Sequence, residues 1–203
     1  MRKALSAGFF DKPTVSVARS LLGKFLVCKV PPTRGRSGRR SHVIAAMITE
    51  VEAYDGFRDK ASHAARGKTK RNTPMFGQPG YWYVYFTYGI HWMLNVVTGK
   101  VGYPAAVLIR GLHGINGPAR LTKKLNVDGR FNNLPANRKT GLWIEDRGYK
   151  LRNGKIYPPS PRLRKGDSPG RRIKKSPRVG VSYAGKYWAG RHYRFSIKES
   201  SSA

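Results

Sequence analysis

Two periods alternate along this chain, one helical and one of the strand, and the change from one to the other marks the elements. Asp11, Pro13 and Thr14 form a helix entry, Ala18, Leu21 and Leu22 give that helix an apolar side, and Gly23 stops it. Lys24 to Val30, KFLVCKV, then reads as a strand. Val43 to Tyr54, VIAAMITEVEAY, is a longer buried strand of small and β-branched residues. Alternation places Ile44, Ala46, Ile48, Glu50, Glu52 and Tyr54 on one of its faces. In YWYVYFTYGIHWMLNVV, Tyr81 to Val97, two strands of high β-propensity flank a tight turn at Tyr88-Gly89, which predicts a hairpin. Tyr81, Tyr83 and Tyr85 share one face of it, and Trp82, Val84 and Phe86 the other. Pro104 to Arg110, PAAVLIR, is an apolar central strand closed by a cation. Gly117 and Pro118 open a helix through PARLTKKL, LWIED is a short strand, and the tail SPRVGVSYAGKYWAGRHYRFSI ends in a strand that closes the sheet. The chain has no internal repeat and no heptad pattern, and its 203 residues are enough for one domain with a real core.

Charge changes the picture. The 203 residues carry 40 Lys and Arg against 10 Asp and Glu, a net charge of +30 and a pI near 11.0. Such a surface repels itself at low salt and favours a polyanionic partner, nucleic acid before an anionic membrane. At 39% hydrophobic the chain can still bury a core, so it is not a disordered basic tail. No stretch approaches the roughly twenty apolar residues of a spanning helix, and MRKALSAGFFDKP meets Asp11 and Pro13 before any signal-like run. Cys28 is the one cysteine, which leaves no disulfide framework and no cysteine-based metal site, and fits an intracellular compartment. Two acid-poor, Pro- and Gly-containing stretches, about 31–42 and 152–175, read as exposed basic insertions.

Against that background two acids at the end of an apolar strand stand out. Ionised carboxylates are rarely buried without partners, so Glu50 and Glu52 are delivered to a cleft, a cation or an ion pair. An arginine-paired strand end weighs equally for either acid alone. Arg110, at the end of its own strand, pairs with such a carboxylate or holds a phosphate. After Tyr54 the chain enters a long polar loop, with Arg66, Lys68, Lys70 and Arg71 available for phosphates. His63 sits in its middle, where an ordinary loop histidine is the simpler local reading. The tyrosine-rich hairpin is either all core or a stacking platform for unpaired bases. The number of phenolic hydroxyls that would need buried partners favours the platform.

Taken together, VARSLLG, TEVEAY, SHAARGKTKRN, MFGQPGYWYVYFTYGIHWMLNVV, AAVLIRG, GPARL and PRVGVSYAG, in that order, resemble the alkyladenine (N-methylpurine, 3-methyladenine) DNA glycosylases over most of the chain. The resemblance implies an α+β fold, a single mixed domain with a curved antiparallel sheet, a few helices and a protruding hairpin that enters the minor groove. It implies flipping of alkylated or deaminated purines from duplex DNA and hydrolysis of the N-glycosidic bond to leave an abasic site, as in base excision repair. Position by position it makes Glu52 the general base and Arg110 the residue that helps hold the target phosphate and the attacking water. Tyr54, Tyr85 and His63 become walls of the base pocket, Asn95 the floor residue that disfavours the guanine amine, and Tyr88 the wedge that replaces the extruded nucleotide. Glu50 is then structural.

This chemistry needs no metal and no cofactor, only a carboxylate to align water and stabilise charge on the sugar. Nothing in the sequence marks a desolvated lysine nucleophile, so the expected enzyme is monofunctional. It would act as a monomer on double-stranded DNA containing damaged purines, with no obligate protein partner and no membrane. Charge and aromatics alone also fit a non-catalytic RNA- or DNA-binding protein of ribosomal type, and an RNA-directed enzyme sharing the fold is a further alternative. A pocket formed by Glu52, Tyr54, Tyr85 and His63 separates these readings, because a ribosomal-type binder has no use for one.

Overall fold

The computed structural model describes residues 2–30, 42–159 and 170–197. Its strands are β1 (Lys3–Ala4), β2 (Phe25–Val30), β3 (His42–Asp55), β4 (Trp82–Thr87), β5 (His91–Val97), β6 (Ala105–Leu112), β7 (Ile115–Asn116), β8 (Leu142–Asp146), β9 (Lys150–Arg152), β10 (Lys155–Tyr157), β11 (Arg171–Ser176) and β12 (Arg194–Ile197). Four α-helices accompany them: α1 (Ala7–Phe10), α2 (Thr14–Leu21), α3 (Pro118–Leu125) and α4 (Gly185–Gly190). The fold is α+β, with an open antiparallel sheet and few helices, as the resemblance implies.

The long strand β3 is the hub. Its first half pairs with β2, its second half with β12 on the same edge, and β6 runs along the other edge from Ile48 to Asp55. From β6 the sheet continues through β5 to β4. Helix α2 lies on β3, and α3 lies on β5 and β6. Between helices and sheet sits the main core, with Leu21, Leu26, Trp82, Leu94 and Ile109 all withdrawn from solvent. Full burial of each such side chain is worth about 1.5–3 kcal/mol.

Strict alternation fails at one place in β3, and the failure makes the site. Ile48 faces Leu112 and Glu50 faces Gly111, so Thr49 is an extra residue on β3; Val51 then faces Ile109, so Arg110 is an extra residue on β6. Two opposed bulges restore the ladder but change the parity of both strands. Ile44, Ala46 and Ile48 pack with the core, and past the bulge that side passes to Val51 and Ala53. Glu50, Glu52 and Tyr54 turn to the opposite face, so the expected single face from Ile44 to Tyr54 is split in two. The crossing is tight enough that a larger residue than glycine would press its neighbours aside. A Cβ at Gly111 would lie 3.0 Å from Glu50 Cβ and 3.2 Å from Thr49 Oγ1.

Sequence and structure differ in two other segments. The basic stretch 31–42 lies outside the described residues except for His42, which opens β3. The second stretch, 152–175, is not simply an exposed insertion: β10 pairs with β9 and β11, and β11 pairs with β12. Interspersed cations hid the apolar period there, because Leu151, Ile156 and Ile173, one from each of these short strands, are all that turns to the core. The last strand, β12, consequently sits between β3 and β11 rather than closing the sheet.

Candidate active site

The strand alternation predicted for the hairpin is the one observed. In the β4–β5 pair, Trp82 opposes Val96 and Val84 opposes Leu94 on the core side, while Tyr83 opposes Asn95 and Tyr85 opposes Met93 on the other. That other face continues through Leu108 and Ala106 of β6 to Glu52 and Tyr54 of β3. The turn is a three-residue tip rather than a two-residue one, with Thr87 opposite His91. Tyr88 has φ 52° and Gly89 φ 68°. A left-handed backbone costs a non-glycine residue about 1–2 kcal/mol, and such strain persists where the surroundings or the function require it. Here it holds the Tyr88 ring away from the body, 84% exposed.

A cavity of about 890 Å³ opens on this face, and Tyr54, His63, Tyr85, Tyr88, Asn95 and Arg110 all line it. Six of the seven site residues named from the sequence thus share one space. The seventh, Glu52, lies behind the wall with 0% exposure, instead of standing free in the cleft. Its Oε1 accepts the Val179 N–H at 2.8 Å and its Oε2 accepts the Tyr54 hydroxyl at 2.9 Å. Arg110 approaches less closely, with Nε 3.4 Å from Oε1 and Nη1 3.4 Å from Oε2. Burial pushes the Glu52 carboxyl above its ordinary range, and Arg110, the Val179 N–H and the Tyr54 hydroxyl pull against that shift. Glu50 takes the firmer ion pairs. Its Oε1 accepts Arg110 Nε at 2.9 Å and Arg194 Nε at 2.7 Å. One guanidinium therefore bridges both acids.

His63 opens a short 3-10 turn, His63–Arg66, whose start is capped by Ser62 Oγ accepting from the Ala64 N–H. Its Nδ1 lies 2.9 Å from the Tyr83 hydroxyl, and its ring meets Tyr85 edge-on with centroids 4.7 Å apart. Desolvation and the nearby Arg71 bring its pKa down to about 4, so the imidazole is neutral at pH 7. Arg71 lies over Tyr85 at 4.7 Å from the ring centroid. Burial pushes Tyr85 up to about 12 and Tyr54 well above its ordinary value. Both are neutral donors at pH 7. Asn95, buried beneath the cavity, donates Nδ2 to the Tyr83 carbonyl at 3.0 Å.

Sequence reasoning missed the brace behind this wall. Asp59 and Arg178 are both fully buried at their side chains and form a two-pronged ion pair, Arg178 Nη2 to Asp59 Oδ1 being 2.8 Å. Arg178 also donates to the carbonyls of Ala53 and Trp188, and its guanidinium lies 4.9 Å from the Tyr54 ring centroid. Asp59 in turn accepts the N–H groups of Asp55 and Ala61. The His63 loop, the β3 end and the Val179 segment are thus tied at one point. Tyr183, two-thirds exposed, completes the cavity mouth and donates its hydroxyl to the Ala61 carbonyl at 3.0 Å. PRVGVSYAG held the only signal for Arg178, Val179 and Tyr183, whereas Asp59, between Arg58 and Lys60, resembled a solvated loop acid. Among the described residues no group of three or more His, Cys, Asp or Glu side chains is arranged to hold a metal.

A cavity walled by aromatic side chains, with a carboxylate and a guanidinium at its back, beside an exposed aromatic hairpin tip on a strongly cationic protein, suits an enzyme that acts on nucleic acid. The profile of the methylpurine-DNA glycosylase family matches residues 8–115. A protein of Methanocella arvoryzae named "Putative 3-methyladenine DNA glycosylase" is 42% identical over 97% of this chain and 93% of its own length. One of the same name from Anaeromyxobacter dehalogenans is 38% identical over 97% of this chain and 84% of its own. The chain belongs to the methylpurine-DNA glycosylase family. It is accordingly a DNA repair glycosylase, an enzyme that hydrolyses N-glycosidic bonds.

Proposed function

We propose that this enzyme, acting as a monomer and a single domain, removes alkylated or deaminated purines from double-stranded DNA by a monofunctional route that leaves an abasic site. The supporting observation is that Tyr54, His63, Tyr85, Asn95 and Arg110 line one cavity directly in front of Glu52. Tyr54 and Tyr85, with the neutral His63, supply flat walls for a purine, and Asn95 at the floor excludes the amine of normal guanine. Tyr88 fills the gap left in the duplex. Glu52 acts as general base. Its two short hydrogen bonds come from Val179 and Tyr54, and Arg110, in contact at 3.4 Å, covers the side on which a water reaches the carboxylate once the guanidinium turns toward the target phosphate. There the water loses a proton to Glu52 as it attacks the sugar carbon, and the purine departs with the bonding pair. A cationic alkylpurine leaves readily, while a deaminated one needs help at the departing base, which the neutral tyrosine hydroxyls can give by hydrogen bonding rather than by releasing a proton.

The relatives' names point to 3-methyladenine as one substrate. The test uses duplexes carrying one 3-methyladenine, hypoxanthine or ethenoadenine, followed by alkali. Strand breaks that form only after alkali are expected. Breaks before alkali would overturn the monofunctional route, and intact strands on all substrates would overturn the purine assignment.

A further inference from the structure

Behind the sheet lies a second, shallower cleft of about 440 Å³, between α2 and the β11–β12 edge, lined by Arg19, Lys175, Arg191, His192, Tyr193 and Phe195 among others. Strand parity fixes its side. Arg194 reaches Glu50 on the cavity face, so its neighbours Tyr193 and Phe195 turn to the back, where Phe195 joins the core and faces Lys175 across the ladder. No carboxylate lines this cleft, although three permanent cations do. Asp59, whose charge reaches Arg191, is already neutralised by Arg178.

Two of the cations are held ready and unanswered. The Nε of Arg19 is buried without a hydrogen-bond partner, as is the Nε of Arg191. Arg191 is fixed by other means: Nη2 donates to the Tyr193 hydroxyl at 2.9 Å, Nη1 to the Tyr187 hydroxyl at 3.4 Å, and the guanidinium lies 4.9 Å from the Tyr193 ring centroid. A buried donor left unmade costs about 1–3 kcal/mol, and like charges gathered without an acid add to that cost. A tetrahedral oxyanion answers both, because guanidinium forks match phosphate oxygens.

We propose that this back cleft is a phosphate-binding site, separate from the base cavity, that takes a phosphate monoester or diester through Arg19, Lys175 and Arg191. The ligand comes either from the backbone of a second DNA segment or from a free phosphorylated small molecule. It is not the phosphate beside the extruded base, which lies across the sheet. The inference does not depend on which base is excised.

The test follows the arginine Nε–H resonances of the full chain by NMR during titration with inorganic phosphate, and separately with a lesion-free oligonucleotide added to protein already saturated with a lesion duplex. Arg19 and Arg191 signals are expected to shift together and saturate in at least one arm. Movement in the oligonucleotide arm identifies a backbone phosphate, and movement with inorganic phosphate alone identifies a small ligand. Arg19→Gln, an exchange at a residue that does not line the base cavity, should weaken that binding at least tenfold while single-turnover excision is unchanged. If neither probe moves these signals, or Arg19→Gln titrates like the parent, the site does not exist.

Discussion

The backbone N–H of Val179 donates to Glu52 Oε1 at 2.8 Å across 127 residues of chain. A carboxylate on the central strand is thereby aimed by a segment near the other end of the protein. Glu52→Gln keeps the shape and one acceptor oxygen but cannot take a proton. Single-turnover excision should fall on the order of 100-fold or more, with affinity for damaged duplex retained. Glu50→Gln should act through stability, by roughly 1–3 kcal/mol, as Arg110 and Arg194 lose their shared acceptor. Excision rates and chemical denaturation of both variants decide the assignment: a fully active Glu52→Gln removes it from catalysis, and inactivity confined to folded Glu50→Gln moves the base there.

At the hairpin tip the expectation is different. Tyr88 contributes almost nothing to the core, so Tyr88→Ser should unfold at the parent temperature. It should lose roughly 1–3 kcal/mol of stacking that holds the nucleotide out of the duplex. A fluorescent base analogue reports the extrahelical fraction, and an unchanged fraction would take Tyr88 out of the wedge role.

Replacing Asp59 by Asn leaves a buried guanidinium without its counterion. Breaking a buried pair in this way costs about 3–5 kcal/mol, which denaturation will show directly. Arg178→Lys is the milder probe. It keeps the charge but loses the fork that reaches Asp59, Ala53 and Trp188 together, so excision should drop more than duplex affinity. Equal loss of both would reduce the brace to a scaffold.

The neutral imidazole of His63 gives a pH signature. Its pKa falls from 6.5 to about 4 on folding, so the unfolded chain binds the proton first as acid is added. The contribution to stability is complete above pH 6.5 and is lost as pH falls toward 4. His63→Gln should flatten the stability profile across that window. An NMR titration of His63 with a midpoint near 6.5 in the folded protein would contradict it.

Much of this architecture was legible in the sequence, because local periods fix element type and the hairpin faces. Tyr83 and Tyr85 fall opposite Trp82 and Val84 by simple alternation, and the β4–β5 register keeps them there. The face of Glu52 was not legible. Extrapolating from Ile48 puts it on the core side, and only the pairing of Thr49 and Glu50 with Gly111 reverses that. A bulge belongs to two strands at once, so one strand's pattern cannot announce it. The Asp59–Arg178 brace was hidden for a related reason: 119 residues separate its halves, and each sits among charges that look solvated. The outer strands β9 to β11 each turn a single apolar residue to the core, Leu151, Ile156 and Ile173, too little to show a period among the cations.

The paired bulges of β3 and β6 make inside and outside a matter of phase. Substituting Thr49 leaves the count of residues intact, so the later side chains keep their sides. Removing Thr49 would take out the extra step itself, so alternation from Ile48 would still hold Glu50 and Glu52 to the cavity and Val51 and Ala53 to the core, but the extra step at Arg110 on β6 would be left without its counterpart and the pairing of the two strands would slip. Within this stretch the chain should therefore tolerate changes of identity far better than changes of length. Arg110 on β6 is bound by the same arithmetic, since its own extra step cancels that of Thr49. An insertion on one strand could be rescued only by a compensating one on its neighbour, which couples the lengths of two segments some 60 residues apart in the chain.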